Sequence, residues 1–294
     1  MVVGQSDLPD YHMIIKEGCN MINITSSAVT NVGKVRGNNE DNYFINGKYR
    51  ENIDTPNEEY DESKKRDKYI FSVCDGMGGE SYGELASLIA VKSLLKYKNK
   101  NISEHINEYV EFANRLICDE IEKNDGARIG STVALLYIDD SGAYGYNIGD
   151  SRIYLMRDGC LKQLSKDHTQ AQSMVDMGLI EPEEMNSHKG KHKLTQHFGI
   201  FPDELVIQPY ETEKMSVKEN DIFVLCSDGL TDMMTDSEIA ETLAKELSPK
   251  EMANKLVDMA VEKGGKDNTT VIVAKVSEDV ENRTKTFWSK LFDK

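Results

Sequence analysis

The sequence has few of the features that mark membrane, secreted or nucleic-acid-binding proteins. No apolar run approaches the ~18 residues that a membrane span requires, and no signal-peptide pattern is present. Positive charge is scarce, because 35 Lys and Arg residues stand against 51 Asp and Glu residues and give a net charge of −16. Nucleic acids and anionic membranes attract positive surfaces, so neither is expected as the main partner.

Cysteine is also sparse, and its spacing argues against two common roles. Five cysteines are present, which is an odd number, and no two are arranged as Cys-x-x-Cys. Neither a disulfide framework nor a zinc site is therefore indicated. We expect a reducing, cytoplasmic compartment.

The length of 294 residues allows one large α/β domain or two small ones. Residues 1–20 carry no pattern and are interpreted as an N-terminal extension, because the first convincing strand spans residues 22–29. Residues 48–68 are almost entirely polar, which predicts a solvated loop between two antiparallel strands. Residues 278–294 form a tail with an aromatic end, for which packing onto the domain and docking to a partner or membrane are both open.

The chain is organised around residues 68–87. Residues 69–74 are rich in aromatic and β-branched types and predict a buried strand, which a glycine-rich segment interrupts. Asp75 therefore stands at a strand end, beside a glycine that lets a ligand approach the backbone. An N-capping aspartate in an ordinary turn is the alternative. Residues 83–97 then predict a helix, with an apolar stripe of Leu85, Leu88, Ile89 and Leu95.

Further elements follow from periodicity and punctuation. Helices are expected at 103–123, near 170–177, and after the capping boxes that begin at Thr235 and Ser248. Strands are expected at 131–138, 143–148, 152–157, 160–164, 221–226 and 269–276. Because hairpin turns join several of these strands and helices lie between them, we predict an α+β fold of antiparallel sheets covered by helices.

Acidic side chains recur at the strand ends. Asp75-Gly76 and Asp228-Gly229 both follow an apolar strand, and the full set is Asp41, Asp75, Asp150, Asp228 and Asp267. Packed sheets can bring such ends to one rim, where crowded carboxylates need cations. Oxygen ligands without Cys or His favour Mg²⁺ or Mn²⁺, and two such ions about 3.5–4 Å apart support phosphoryl chemistry. Ordinary turn chemistry is the alternative for each acid alone.

Two charged segments could complete such a site. Arg36 precedes Glu40 and Asp41; an arginine can hold a phosphate, and carboxylates can hold a metal or its waters. Residues 188–193 are the most basic stretch of the chain and could steer an anionic substrate. A surface salt-bridge cluster and a loop of solvated lysines are the respective alternatives.

An ordered set of motifs between residues 21 and 277 resembles the metal-dependent protein phosphatase family, type 2C, in its compact bacterial form. The motifs are R-G-N-N-E-D (36–41), D-G-M-G-G (75–79), G-S-T (130–132), N-I-G-D-S-R (147–152), D-H-T (167–169), S-D-G-L (227–230) and G-G-K-D-N-T-T (264–270). The resemblance implies a four-layer α-β-β-α sandwich, in which two antiparallel β-sheets are flanked by helices. It also implies a phosphatase domain over 21–277, with a flap at about 170–197.

The resemblance further assigns roles to single residues. Asp75 would bridge two Mn²⁺ or Mg²⁺ ions, and the Gly76 carbonyl, Asp228 and Asp267 would bind the first. Asp41, with Glu40 through water, would serve the second. Asp150 would share a weaker third metal with Asp228, and Arg36 would bind phosphate. Glu80 departs from the family pattern, because bacterial members usually carry histidine there.

The implied activity is hydrolysis of phosphoserine and phosphothreonine in proteins, by in-line attack of a metal-bridging water. The expected partners are phosphorylated proteins and a cognate Ser/Thr kinase, and we expect a monomer. A catalytically silent phosphoprotein-binding or kinase-scaffolding pseudophosphatase is the alternative. A silent protein would be expected to have lost Asp75, Asp228 or Asp267, and all three are present.

Overall fold

The computed structural model describes residues 22–78 and 82–277. The predicted extension at 1–20, the tail at 278–294 and Glu80 lie outside these ranges. Within them, no helix combines the length and apolarity needed to cross a bilayer.

The described residues form fourteen strands and six α-helices. The strands are β1 Ile22–Asn31, β2 Asn42–Ile45, β3 Lys48–Tyr49, β4 Glu58–Arg66, β5 Lys68–Cys74, β6 Gly76–Gly78, β7 Ile129–Ser131, β8 Val133–Asp139, β9 Gly142–Ile148, β10 Arg152–Arg157, β11 Cys160–Gln163, β12 Tyr210–Glu211, β13 Ile222–Cys226 and β14 Thr269–Ser277. The helices are α1 Gly83–Ser93, α2 Ile102–Lys123, α3 Gln170–Asp176, α4 Asp228–Thr231, α5 Asp236–Leu243 and α6 Pro249–Glu262.

Two six-stranded antiparallel sheets pack face to face. The first has the order β11-β10-β13-β14-β1-β4, the second has the order β12-β9-β8-β5-β2-β3, and β6 and β7 form a separate ribbon. α1 and α2 cover the second sheet, whereas α5 and α6 cover the first. This arrangement confirms the predicted four-layer α-β-β-α sandwich.

Successive side chains of a strand point to opposite faces of the sheet. The central strands are apolar on both faces because both faces are covered. In β14, Val271 and Val273 pack under α6, whereas Ile272 and Ala274 face the second sheet. A strand covered on both faces needs no polar positions, so it appears in the sequence as one unbroken apolar run. The acids can then stand only where such a run ends.

The prediction of a solvated loop over residues 48–68 is wrong. β4 occupies Glu58–Arg66 and pairs along its length with β1 at the edge of the first sheet. Its side chains alternate: Glu62 points inward and binds Arg66 at 2.9 Å, whereas Asp61 accepts a hydrogen bond from Lys250 on α6 at 2.8 Å. An edge strand buries little surface, so charged residues can occupy it.

The predicted apolar stripe of α1 is also wrong in position. The buried face carries small residues, among them Ala86, Ser87 and Ala90, whereas Leu88 and Ile89 are only partly buried. Small side chains allow α1 to lie close to the β6–β7 ribbon, so size outweighs hydrophobicity there. The capping boxes at Thr235 and Ser248 are confirmed, with α5 and α6 beginning at the next residue.

Truncating the helix that covers the first sheet should be costly. Leu256 on α6 is fully buried, so Leu256→Ala leaves a cavity and should lower the free energy of unfolding by about 2–5 kcal/mol. Urea denaturation monitored by circular dichroism measures the change. The neighbouring Lys255 is exposed, and Lys255→Ala should change stability by less than about 0.5 kcal/mol. Equal losses in both variants would contradict this packing.

Candidate metal centre

The sandwich brings acids from distant parts of the chain to one rim. They line an open cleft of about 460 Å³ together with Arg36 and residues of the loop that follows α3. The acidic lining residues are Glu40, Asp75, Asp150, Asp228, Asp232 and Asp267. Asp41 lies directly behind them and is 1% exposed. Every acid named from the sequence is therefore in or beside this cleft.

In both Asp-Gly pairs, steric crowding explains why glycine follows the aspartate. A Cβ atom at Gly76 would lie 2.0 Å from the carbonyl oxygen of Gly83, and one at Gly229 would lie 1.9 Å from that of Asn268. No side chain fits at either position. Each glycine lets a neighbouring backbone press against the strand end, which fixes the aspartate before it.

Asp41 is held by a neutral donor. Its Oδ2 accepts a hydrogen bond from Ser227 Oγ at 2.7 Å, and Ser227 Oγ in turn accepts one from the backbone N–H of Thr270 at 3.0 Å. The other oxygen, Oδ1, is buried without a hydrogen-bond partner in the described chain, and so is Oδ1 of Asp228. Buried carboxylate oxygens are normally paired, so these two are free to coordinate a cation.

The raised pKa values of the rim acids also indicate a cation site. Burial raises the pKa of Asp41 to about 7. Burial, followed by repulsion from Asp41 and Asp228, raises the pKa of Asp75 well above its usual range. Burial and repulsion from Asp228 do the same to Asp150. Carboxylates crowded in this way repel one another when ionised, and a divalent cation would remove that penalty.

The donor set fits the cations that the sequence predicts. Aspartate and glutamate oxygens dominate it, which suits Mg²⁺ or Mn²⁺. One subset is compact: single ligand atoms of Asp150, Asp228 and His192 all lie within 4.8 Å of one another. The residues present therefore fit the predicted metals, and His192 adds an imidazole that the sequence analysis did not assign as a ligand.

Arg36 stands at the mouth of the cleft. Its Nη2 atom donates to Oδ2 of Asp267 at 2.7 Å, and the Arg36 side chain is 49% exposed. This hydrogen bond is the main cause of a raised Arg36 pKa. The guanidinium is thus anchored at one end and open to an anion at the other.

The basic stretch at 188–193 reaches the acidic rim. Lys191 Nζ lies 2.6 Å from Oδ1 of Asp232, and His192 lies 3.5 Å from both Asp228 and Asp232. The hydrogen bond to Asp228 is the main cause of a raised His192 pKa. The alternative of a loop of solvated lysines is therefore wrong for Lys191. Asp232 was missed, although it follows Asp228 by one helical turn and so shares its face.

Arg50 was missed as well. It comes from a polar stretch, yet its side chain is 0% exposed. One nitrogen, Nη2, donates to the carbonyl oxygens of Asn39 and Asp41 at 2.6 and 2.7 Å, and Nη1 donates to those of Ile53 and Thr55 at 3.0 and 2.9 Å. Arg50 therefore fixes the loop that carries Arg36, Glu40 and Asp41. No local pattern marks an arginine that binds only backbone oxygens.

The loop of Asp150 has its own support. Arg152 is 7% exposed and binds both oxygens of Asp167 through three hydrogen bonds of 2.7 to 3.1 Å. The next residue, His168, donates its backbone N–H to the Gly149 carbonyl at 2.8 Å. The D-H-T motif thus supports the turn that presents Asp150.

The family model of protein phosphatase 2C matches residues 47–260, which is more than half of the chain. The chain belongs to the protein phosphatase 2C family. The matched range contains Asp75, Asp150 and Asp228, whereas Arg36, Asp41 and Asp267 lie outside it.

Individual members of the family agree with this assignment. The serine/threonine protein phosphatase PstP of Mycobacterium tuberculosis is 32% identical over 254 residues, which cover 83% of this chain and 43% of PstP. This chain therefore spans less than half of PstP. Protein phosphatase PhpP of Streptococcus pneumoniae is 31% identical over 264 residues, covering 86% of this chain and 98% of PhpP.

A solved structure supports the same fold. The catalytic domain of PstP in complex with two manganese ions has a TM-score of 0.70 and 28% identity to this chain. The similarity covers 87% of this chain and 100% of that domain. The fold of this chain is therefore that of the family.

Without metal, the protein should lose stability as pH rises. The pKa of folded Asp41 is about 7 and lies above its unfolded value, so its contribution is complete at pH below about 4 and is lost as pH rises through about 7. With EDTA present, the urea midpoint should fall between about pH 5 and about pH 8. Mn²⁺ should reduce the fall, and Asp41→Asn should make it shallower, since the raised pKa values of Asp75 and Asp150 remain. Asp258→Asn on the exposed face of α6 should leave the slope unchanged; a flat wild-type profile would contradict the prediction.

Loss of Arg50 should loosen the loop that carries Arg36, Glu40 and Asp41. Arg50→Met keeps the side-chain length but leaves two buried and two part-buried carbonyl oxygens without their donor, so the free energy of unfolding should fall by about 3 kcal/mol. Isothermal titration should show Mn²⁺ affinity about 10–100-fold weaker, as for other residues that orient metal ligands. Lys98→Met, at an exposed position, is the matched control and should change neither quantity. Unchanged Mn²⁺ affinity in a destabilised Arg50→Met would limit Arg50 to a purely structural role.

Proposed function

We propose that this chain is a metal-dependent protein serine/threonine phosphatase, which hydrolyses phosphoserine and phosphothreonine by in-line attack of water on phosphorus. The observation that carries the proposal is the cleft itself. Five aspartates from separate strand ends meet beside an anchored, half-exposed arginine, and two of their buried oxygens have no hydrogen-bond partner in the described chain. Family membership supports the same activity.

Each residue of the cleft receives a proposed role. Asp75 would bind two cations, and the Gly76 carbonyl, Asp228 and Asp267 would bind one of these. Asp41, with Glu40 through water, would bind the other, and Asp150 would share a third, weaker cation with Asp228. The absence of a hydrogen-bond partner at Oδ1 of Asp41 and Asp228 supports this assignment.

When bound, the cations would supply an activated water and neutralise charge on the phosphoryl group. The chain supplies the positioning. Arg36 binds phosphoryl oxygens through the part of its guanidinium that is open to solvent, while Asp267 holds the other part in place. Its positive charge offsets the charge that develops on the equatorial oxygens. The family resemblance implies that water rather than a side chain attacks phosphorus, so no phosphoenzyme is expected.

The wider organisation is part of the same proposal. Residues 21–277 would form the phosphatase domain, with a flap at about 170–197 that shapes substrate access, an extension at 1–20 and a tail at 278–294. Lys191 and His192 support the flap assignment, because they connect this segment to the rim. The protein would act as a monomer that opposes a cognate Ser/Thr kinase. The four cysteines among the described residues are free and three of them are buried, which fits the cytoplasm.

Turnover of a phosphothreonine peptide in roughly millimolar Mn²⁺, a concentration suited to a weak site, tests the proposal directly. Phosphate release should be metal-dependent and should stop with EDTA. Asp228→Asn should lower turnover by about 10²-fold or more, because it removes a ligand shared between cations. Asp258→Asn, the same change on the exposed face of α6, should leave turnover intact.

The competing hypothesis is the silent, phosphoprotein-binding pseudophosphatase. The comparisons give it no support, since the relatives are named as phosphatases. Wild-type protein that binds Mn²⁺ by calorimetry but releases no phosphate would overturn the proposed activity and favour that alternative.

A further inference from the structure

A second concave surface lies between α2 and residues 201–211. This groove has a volume of about 890 Å³ and shares no lining residue with the metal centre. Its apolar walls come from Val110 on α2 and from Phe201, Leu205, Val206 and Ile207. A groove of this size and lining can accept several side chains of an amphipathic helix.

The apolar wall of the groove is unusually exposed. Leu205 is 41% exposed and Val206 is 69% exposed. They are two of only five large apolar side chains with high exposure in the described part of the chain, and they are adjacent. Clustered apolar exposure of this kind marks a binding surface more often than a scattered single residue does.

Acids surround the apolar wall. Glu111, Asp119 and Glu122 lie along α2, and Glu211 lies at the far end of the groove. Arg115 is the one basic residue of the lining, so the groove carries a formal charge of −4 + 1 = −3. An occupant that matches it must combine an apolar face with positive charge.

Residues 283–294 have this composition, whereas residues 278–282 add three acids and bring residues 278–294 to a net charge of zero. Phe287, Trp288, Leu291 and Phe292 recur at spacings of three and four, which would place them on one face of a helix. Residues 283–294 carry four basic side chains and one acidic side chain, for a charge of +4 − 1 = +3. Both the apolar spacing and the charge therefore complement the groove.

The chain between the end of β14 and Phe287 is also long enough to reach the groove. The last described strand, β14, ends at Ser277, and Asn220 donates its N–H to the carbonyl of Val276 at 3.1 Å. Glu211 of the groove precedes Asn220 by nine residues, which span at most about 32 Å. The eleven residues from Val276 to Phe287 can span at least as far, about 36 Å when extended. The apolar segment can therefore reach the Glu211 end of the groove within the same chain.

We propose that residues 287–292 dock into the groove between α2 and residues 201–211 of the same molecule, as an amphipathic helix held by apolar contact and by charge. Trp288 is the only tryptophan of the chain, so its fluorescence reports the docking without any label. In the full chain, its emission should be blue-shifted, and its quenching by acrylamide should be several-fold weaker than in a free peptide of residues 278–294.

A groove variant separates docking from other causes of protection. The double variant Leu205→Asp with Val206→Asp places charge on the exposed wall, and it should shift Trp288 emission and quenching toward those of the free peptide. Leu179→Asp is the matched control, because Leu179 is 63% exposed and lies outside the groove. It should leave Trp288 protected. Circular dichroism must show that both variants remain folded. Raising the salt concentration should weaken the protection, because part of the attraction is between surface charges.

Several outcomes would overturn the proposal. Quenching of the full chain that equals that of the free peptide would show that the segment is not docked. Protection that survives in the groove variant would place Trp288 elsewhere. Protection that grows with protein concentration, together with a doubled mass in light scattering, would assign the groove to a second copy. Protection that appears only with anionic phospholipid vesicles would assign the segment to a membrane surface.

Discussion

Repulsion among buried carboxylates is the constraint on which this structure depends. Asp41 and Asp150 are buried, Asp75 is partly buried, and their charges oppose one another. Such a cluster costs free energy unless cations occupy it. The sandwich provides the rigidity that keeps the acids together, because each one lies at the end of a strand, or beside one, in a sheet that is packed on both faces.

Neutral and backbone partners hold the cluster in place and leave oxygens available. Ser227 binds one oxygen of Asp41, and Asn268 accepts the N–H of Glu40 while its amide donates to the carbonyls of Val32 and Asn38. The guanidinium of Arg50 donates only to backbone oxygens. Among the described residues, cationic side chains contact the rim acids only from the side of the cleft mouth, where Arg36 binds Asp267 and where Lys191 and His192 approach Asp232. Asp41 and Asp228 each keep one buried oxygen without a hydrogen-bond partner in the described chain, and these oxygens are available for coordination.

Local signals explain which parts of the fold could be predicted. Asp75-Gly76 and Asp228-Gly229 end unbroken apolar runs, and the capping boxes at Thr235 and Ser248 are complete within four residues, so neither depends on distant contacts. β4 could not be predicted, since its charged residues are strand-like only beside β1. Arg50 and Asp232 were missed for a related reason: their partners lie in other loops, and polar segments carry no periodicity that would locate them.

The charged edge strand β4 affects how the molecule associates with other protein chains. An unpaired strand edge is a template on which a second chain can add a strand. β4 presents Glu59 and Asp61 there, about half exposed, and Lys250 of α6 reaches across to both at 3.3 and 2.8 Å. Pairing another strand along this edge would bury or break those ionic contacts. The polar stretch that the sequence predicted to be a solvated loop therefore protects the first sheet against edge-to-edge aggregation.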